Sequence, residues 1–190
     1  MYTKHTNPVA LQSQQMISDA LLRLMEREPF QSITITKICH EADIARKTFY
    51  RSFETKEDII DFQLDQLYRD FEREMLICDH SKSLENFFAF KKKHSSYLIL
   101  LRRHKLFPLH HQKFSAFMEK MTPIWSDDPV EQDYRRAYAI AGVTAIAARW
   151  IMRDFAESVE EITAITLRAR DETIPIGKEE YFLKNRSKNE

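Results

Sequence analysis

The segment 33–53, which reads ITITKICHEADIARKTFYRSF, constrains this chain more than any other stretch. Apolar residues recur at helical spacing over 35–42 and again over 46–53, which predicts two short helices. Thr34 can cap the first helix, because its side-chain oxygen can accept a hydrogen bond from a free first-turn amide. Asp43 and Ile44 are typical of the tight turn between them. Two short helices joined by such a turn form a helix-turn-helix.

The second of these helices has two different faces. Phe49 and Phe53 lie four residues apart and are expected to point inward. The opposite face is expected to be exposed and carries Arg46, Lys47, Tyr50 and Arg51. No acidic residue lies between positions 43 and 54, although the whole chain has 29 acidic and 29 basic residues. This local excess of positive charge is typical of a helix that enters the major groove of DNA.

The run TITKICHEADIARKTFYRSFETKEDII closely resembles the DNA-binding signature of the tetracycline-repressor-like (TetR/AcrR) transcriptional regulators. The matching elements are Ile-Cys-x-x-Ala-x-Ile, Thr-Phe-Tyr-x-x-Phe and Thr-Lys-Glu-Asp. Many members have Gly where Asp43 stands, Ser where Ala45 stands and His where Ser52 stands. The resemblance implies an all-α fold with an N-terminal three-helix helix-turn-helix DNA-binding domain. A larger C-terminal helical domain for ligand binding and dimerisation is expected to follow.

The domain boundary is placed at the start of the fourth helix. Residues 1–54 are predicted to form the DNA-binding domain, and residues 55–190 the helical effector-binding and dimerisation domain. Thr55 and Asp58 have the spacing of a capping box, and an apolar stripe follows, so helix 4 should cover about 55–77 and link the two domains. The scarcity of glycine, with 2 in 190 residues, also favours a helical protein. Residues 1–7 are polar and are expected to be loose.

The resemblance assigns roles in DNA binding residue by residue. Residues near the start of the recognition helix are expected to lie nearest the base edges, and the others to contact phosphate or extend the basic face. The predicted base-edge residues are Arg46, Lys47 and Thr48, and the remaining predicted contacts are Thr34, Thr36, Tyr50, Arg51, Ser52 and Lys56. We expect the partner to be double-stranded DNA with a palindromic operator, bound by a homodimer.

The resemblance further implies an apolar small-molecule effector in the second domain, which is rich in aromatic residues and Met. Such side chains suit an apolar pocket with adaptable walls. The predicted pocket residues are Phe87, Phe90, Tyr97, Phe114, Phe117, Met118, Met121, Trp125 and Tyr138. An ordinary hydrophobic core would use the same residues, so the composition alone does not separate the two interpretations.

A long helix over 130–154 and a second one after Ser158 carry more apolar surface than one small domain needs, which predicts self-association. Gly142 costs about 1 kcal/mol in a helix relative to Ala, so a close helix approach is expected there. In the resembled family the last two long helices of each subunit form a four-helix bundle with those of its partner. The predicted interface consists of Tyr138, Ala141, Gly142, Ala145, Arg149, Ile162 and Ile165.

Other chemistries lack a supporting pattern. The histidines have no metal-ligand spacing, and the chain has neither a nucleophile-elbow motif nor a glycine-rich phosphate loop. We therefore expect no metal, no cofactor and no enzymatic activity. The two cysteines imply no disulfide framework, and no apolar run reaches membrane-spanning length, which fits a cytoplasmic protein without membrane contact. The run of lysines at 91–93 is interpreted as a solvated helix end or loop.

Two alternatives remain open. The chain could be a helix-turn-helix regulator controlled by a protein partner, with no small-molecule pocket. It could instead be a helical small-molecule carrier or enzyme in which the N-terminal helices are structural. We expect a repressor that a small ligand relieves, although repression and activation use the same DNA contacts.

Overall fold

The computed structural model describes residues 2–3, 7–121 and 126–171. Every regular element in those ranges is helical, which confirms the predicted all-α class. The helices are α1 (Pro8–Met25), α2 (Ile35–Glu41), α3 (Arg46–Ser52), α4 (Lys56–Ile77), α5 (Ser83–Lys93), α6 (Ser95–Arg103), α7 (Phe107–Met121), α8 (Pro129–Met152) and α9 (Val159–Asp171). Short 3-10 turns, Phe30–Ser32 and His80–Lys82, precede α2 and α5.

The first three helices pack together as a small bundle. Asn7 caps α1 through a hydrogen bond from the Val9 amide, and Pro8 occupies its first turn, where the missing amide is tolerated. The apolar faces meet in a common core; its fully buried members include Ile17, Leu21, Ile33, Ile38, Phe49 and Phe53. The predicted inward orientation of Phe49 and Phe53 is therefore confirmed.

The fourth helix begins at the predicted capping box. The Thr55 hydroxyl accepts a hydrogen bond from the Asp58 amide, and the Asp58 carboxylate accepts one from the Thr55 amide. From this start α4 runs for 22 residues. It packs against α1, and it also packs against α5 and α7. One helix is thus shared by the N-terminal bundle and the C-terminal helices.

The C-terminal helices enclose an aromatic core. Trp150 on α8 is 1% exposed, packs edge-on against Phe88 of α5 and donates its indole N–H to the Glu157 carbonyl. The predicted capping box of the last helix is present, since Ser158 and Glu161 exchange side chain–backbone hydrogen bonds. The buried apolar residues form one continuous cluster from α1 to α9. No helix in the described ranges is long and apolar enough to cross a membrane.

Two local expectations are wrong. Tyr2 and Thr3 are docked instead of loose: the Tyr2 hydroxyl donates to Asp65, and the Thr3 amide donates to the Ser52 carbonyl. The Tyr2 ring packs 5.3 Å from that of Phe62, so apolar contact at the aromatic side chain outweighs the polar character of its neighbours. Lys91 is also not part of a solvated helix end, because it is 3% exposed.

Candidate nucleic-acid interface

The turn between α2 and α3 sets the orientation of the recognition helix. Thr34 caps α2 through a hydrogen bond from the Lys37 amide at 3.2 Å, as predicted. Asp43 has a φ of 51°, and the Ile44 amide donates to the Cys39 carbonyl at 3.0 Å. Asp is among the few side chains that tolerate positive φ, which is why it can replace glycine here. Ala45 gives α3 no side-chain cap.

The outer face of α3 is exposed and free of acidic side chains, as predicted. Arg46, Lys47, Tyr50 and Arg51 are all exposed, whereas Thr48 is half-buried. The Arg46 guanidinium donates a hydrogen bond to the Tyr50 hydroxyl at 3.2 Å and lies 5.9 Å from the centre of its ring. These two side chains therefore support each other along the surface that would face DNA.

The positions of Ser52 and Lys56 do not fit the phosphate contacts predicted for them. Ser52 is 1% exposed, so its hydroxyl does not reach the surface. The Lys56 ammonium donates to the carbonyls of Phe30, Gln31 and Ile33 at 2.7, 3.2 and 2.9 Å. It also lies 4.6 Å from the centre of the Phe30 ring. Lys56 thus holds the turn before α2 onto the start of α4, a role that spacing along the chain does not reveal.

The other two predicted contacts lie at the start of α2. Thr34 and Thr36 are both exposed. The first-turn amides of a helix favour anions, so these residues suit a phosphate of the DNA backbone. Seven of the nine predicted DNA contacts therefore lie on, or partly on, the surface of the N-terminal bundle, and Ser52 and Lys56 are engaged within it.

Most of the predicted pocket residues meet, but they pack against one another. Phe71 of α4 lies 5.1 to 6.1 Å, ring centre to ring centre, from Phe87, Phe90, Phe114 and Phe117. Tyr68 stacks on Phe117 at 5.2 Å. Met118 and Met121 are half-buried at the edge. Trp125 lies outside the described residues.

Tyr138 was predicted for the pocket and for the interface, and the pocket assignment is wrong. Its side chain is 70% exposed, because position 138 lies on the outer face of α8. Tyr97 is half-buried at α6, where its hydroxyl donates to the Gln63 side chain at 3.1 Å. Open surface clefts of about 380 and 360 Å³ occur elsewhere, one between α8 and α9 and one between the end of α1 and α6.

The outer face of α8 carries most of the predicted interface. Its exposed residues at helical spacing are Tyr134, Tyr138, Ala141, Gly142, Ala145, Arg149 and Met152. A Cβ added at Gly142 would meet no atom within 4 Å, so the expected close approach does not occur within the chain. On α9, Ile165 is 40% exposed. Ile162 is 6% exposed and belongs to the core, which contradicts its assignment to the interface.

Two contacts between the N-terminal bundle and the later helices were not predicted. His104, at the end of α6, accepts a hydrogen bond from the Phe30 amide at its Nδ1, at 3.0 Å, and its Nε2 lies 2.7 Å from the Met25 carbonyl. Gln63 donates to Ser18 of α1 and accepts from Tyr97 of α6. Both involve residues far apart in sequence, so no local pattern indicates them.

The similarities to known proteins agree with this geometry. Residues 17–61 match the model of the bacterial regulatory proteins of the tetR family. The dihydroxyacetone kinase operon activator DhaS superposes with a TM-score of 0.57 at 18% identity, covering 83% of this chain and 93% of that one. The fatty acid degradation regulator FadR from Bacillus halodurans superposes with a TM-score of 0.55 at 14% identity, covering 86% and 97%. No curated protein shows significant similarity to this chain.

The site and the family match agree over the N-terminal helices. Residues 17–61 contain the helix-turn-helix and match the tetR family model, so the resemblance to that family is confirmed over this range. The structural neighbours extend the agreement in fold over most of the chain. In the described ranges, no cluster of three His, Cys, Asp or Glu side chains is arranged to hold a metal ion.

Proposed function

We propose that the protein is a homodimeric transcriptional repressor that binds a palindromic operator in the cytoplasm and releases it when a small molecule binds. The observation that carries this proposal is the exposed, acid-free face of α3 within a tetR-family helix-turn-helix. Arg46, Lys47 and Thr48 lie in the first turn of α3, the part of a recognition helix that enters the major groove. Lysine and arginine can pair with guanine, and the threonine methyl can contact thymine.

The outer face of α8 supports the homodimer. Tyr134 and Tyr138 are 73% and 70% exposed on it, and such aromatic side chains are typical of protein interfaces. The open space at Gly142 is suited to a close approach by the same helix of a second copy. A two-fold dimer would place its two α3 helices about 34 to 36 Å apart, or a multiple of that distance, and so read a palindrome.

Coupling between the two domains would pass through α4 and α6. The first part of α4 packs on the N-terminal bundle, while Tyr68 and Phe71 on its later turns lie in the aromatic cluster. His104 ties the end of α6 to the turn before α2. An effector that parts the aromatic rings would bias these contacts only if it binds one arrangement of the domains better than the other.

The domain boundary at position 54 is part of the same proposal. The capping box at Thr55 gives α4 a defined start, so residues 1–54 can move with the N-terminus of that helix.

The alternative of a protein-controlled regulator gains some support from the close packing of the predicted pocket residues. That alternative and an effector-controlled regulator share the same α3 surface.

The first experiment measures fluorescence anisotropy of the purified protein on the DNA upstream of its own reading frame, with shuffled DNA of equal composition as control, across a salt series. We expect tight binding to the upstream DNA alone, with a steep negative salt dependence. Equal and weak binding to both DNAs would argue against an operator at this position.

A second experiment tests the coupling. His104→Ala removes the contact to the Phe30 amide, and the matched surface variant His40→Ala lies at the exposed end of α2. We expect His104→Ala to change the ligand dependence of DNA release, with near-normal DNA binding in the absence of ligand. Unchanged ligand dependence in His104→Ala would exclude this contact from the coupling.

A further inference from the structure

Lys91 lies inside the aromatic cluster of the C-terminal domain. Its side chain is 3% exposed. Its ammonium nitrogen lies 3.5 Å from the centre of the Phe114 ring on α7 and 5.5 Å from that of Phe87 on its own helix. Among the described residues no carboxylate forms an ion pair with it, and burial is the cause of its lowered pKa.

The two lysines that follow it behave differently. Lys92 is exposed and donates to the Phe155 carbonyl at 3.1 Å. Lys93 is exposed and pairs with Glu74. Lys91 is thus the buried one of the three consecutive lysines. It is also the one without a hydrogen-bonding or acidic partner in the described part of the chain.

Two acidic groups on the neighbouring helix are engaged elsewhere. Asp61 and Asp65 of α4 pair with Lys113 at 3.0 and 3.4 Å. His110 shares the interior with Lys91 and interacts with it electrostatically. His110 on α7 is 2% exposed and lies 3.0 Å from the Tyr68 hydroxyl, which donates to its carbonyl.

This environment disfavours charge. Burial lowers the pKa of Lys91 to about 7. Burial also lowers the pKa of His110 well below its usual range, and the neighbouring Lys91 lowers it further. The burial of an unpaired ion is unfavourable, and a contact with an aromatic face offsets only part of that cost. An apolar side chain would fill the same space without that cost.

We propose that Lys91 anchors the carboxylate of an amphipathic effector, whose apolar body lies among the rings of Phe87, Phe114 and Phe117. The proposal rests on the effector-binding role of this domain proposed above. The ligand carboxylate supplies the missing counter-charge in a low-dielectric site, where a charge-assisted hydrogen bond is strong. Met118 and Met121, half-buried on the same helix as Phe114 and Phe117, can change rotamer to make room for the apolar body.

Binding requires the ammonium to leave the face of Phe114 and the rings to part. Phe71 of α4 contacts both Phe114 and Phe117, so a displaced ring moves against the helix that the two domains share. The same event that pairs Lys91 therefore acts on α4. A neutral ligand of equal size would leave the ammonium unpaired and bind more weakly.

The test compares acids with their own neutral amides, using calorimetric titration of the full chain in the absence of DNA. The probes are 2-naphthoate with 2-naphthamide and octanoate with octanamide. The variants are Lys91→Met, which keeps the stem and removes the charge, and the matched control Lys120→Met, at an exposed position of α7. We expect the wild type and Lys120→Met to favour at least one acid over its amide by about tenfold or more, and Lys91→Met to lose this preference.

Three results would overturn the proposal: an acid that binds Lys91→Met as tightly as the wild type, equal binding of acid and amide to the wild type, or no binding of either acid at millimolar concentration. Far-UV circular dichroism confirms that each variant is folded. A second readout uses ¹³C-methylated lysines, where the resonance missing from Lys91→Met should shift on addition of the acid. Since no DNA is present, failure here is separate from failure of DNA binding.

Discussion

At the scale of single residues, the recognition helix divides into residues suited to reading bases and residues suited to holding phosphate. Lys47 is exposed in the first turn of α3. Tyr50 is 50% exposed one turn later and accepts a hydrogen bond from Arg46. Base contacts confer specificity, whereas phosphate contacts set the register on any sequence.

Lys47→Ala should reduce discrimination between operator and shuffled DNA by about 1 to 3 kcal/mol if Lys47 reads a base. Tyr50→Phe should weaken binding to both DNAs alike, because a phosphate contact carries no sequence information. Paired titrations of each variant on the two DNAs measure both effects. Equal weakening of the two complexes by Lys47→Ala would show that Lys47 does not read a base.

A second residue-scale prediction concerns the pH dependence of stability. Burial lowers the pKa of Lys91 to about 7 from 10.5 in the unfolded chain. Between these values the unfolded chain holds a proton that the folded chain lacks, so the free energy of unfolding of the wild type increases as pH rises. Below about pH 7 the full cost of burying the charged ammonium is present. The stability advantage of Lys91→Met should therefore shrink as pH rises toward 10. Urea unfolding across this range measures it, and an advantage independent of pH would contradict the assignment.

At the scale of elements, the start of α4 depends on two features, and only one of them is visible in the sequence. The capping box of Thr55 and Asp58 follows from residue types at a fixed spacing, so it was predicted. The three carbonyls held by Lys56 come from a turn that precedes it by more than twenty residues. Local patterns cannot indicate such a contact.

Lys56→Met should lower the free energy of unfolding by about 1 to 3 kcal/mol, because the Lys56 ammonium holds three carbonyls through charged hydrogen bonds. The salt dependence of DNA binding should stay unchanged. A phosphate clamp predicts the reverse pattern, with unchanged stability and a salt slope reduced by about one unit. Urea titration and a salt series of DNA binding separate the two roles, with Lys120→Met as an exposed control.

The same contrast explains which elements could be predicted. The helices 35–42 and 46–53 end within a residue of their observed limits because caps, a turn and apolar spacing all indicate the same boundaries. Lys91 was wrongly predicted to be exposed, because three consecutive lysines have the composition of a solvated helix end. Burial of Lys91 is decided by how α5 packs against α7, and an apolar stripe gives no measure of that packing.

At the scale of the whole molecule, the outer face of α8 is exposed in a single chain and would be covered by a second copy in the proposed homodimer. Tyr138, Ala141 and Gly142 are exposed on one side of a 24-residue helix whose opposite side is buried. The sequence predicted this helix, but it could not assign Ile162 and Tyr138 to their faces, because both apolar interfaces and apolar cores use the same residue types.

Ala141→Glu should dissociate the dimer, because burial of an unpaired carboxylate at the interface costs several kcal/mol. Ala116→Glu is a matched control on the exposed face of α7. Sedimentation at several protein concentrations should show a folded monomer for Ala141→Glu and a dimer for both the wild type and Ala116→Glu. A dimer that survives Ala141→Glu would place the interface on another surface.

The central claim is that two copies of this chain read DNA together through α3, and selection of bound DNA from a random library tests it most directly. We expect the enriched sequences to be two-fold symmetric, with half-sites centred about 10 base pairs apart or a multiple of that spacing. Enrichment should be lost in the double variant Arg46→Ala and Lys47→Ala. Enriched sites without two-fold symmetry, or enrichment that persists in the double variant, would contradict the claim.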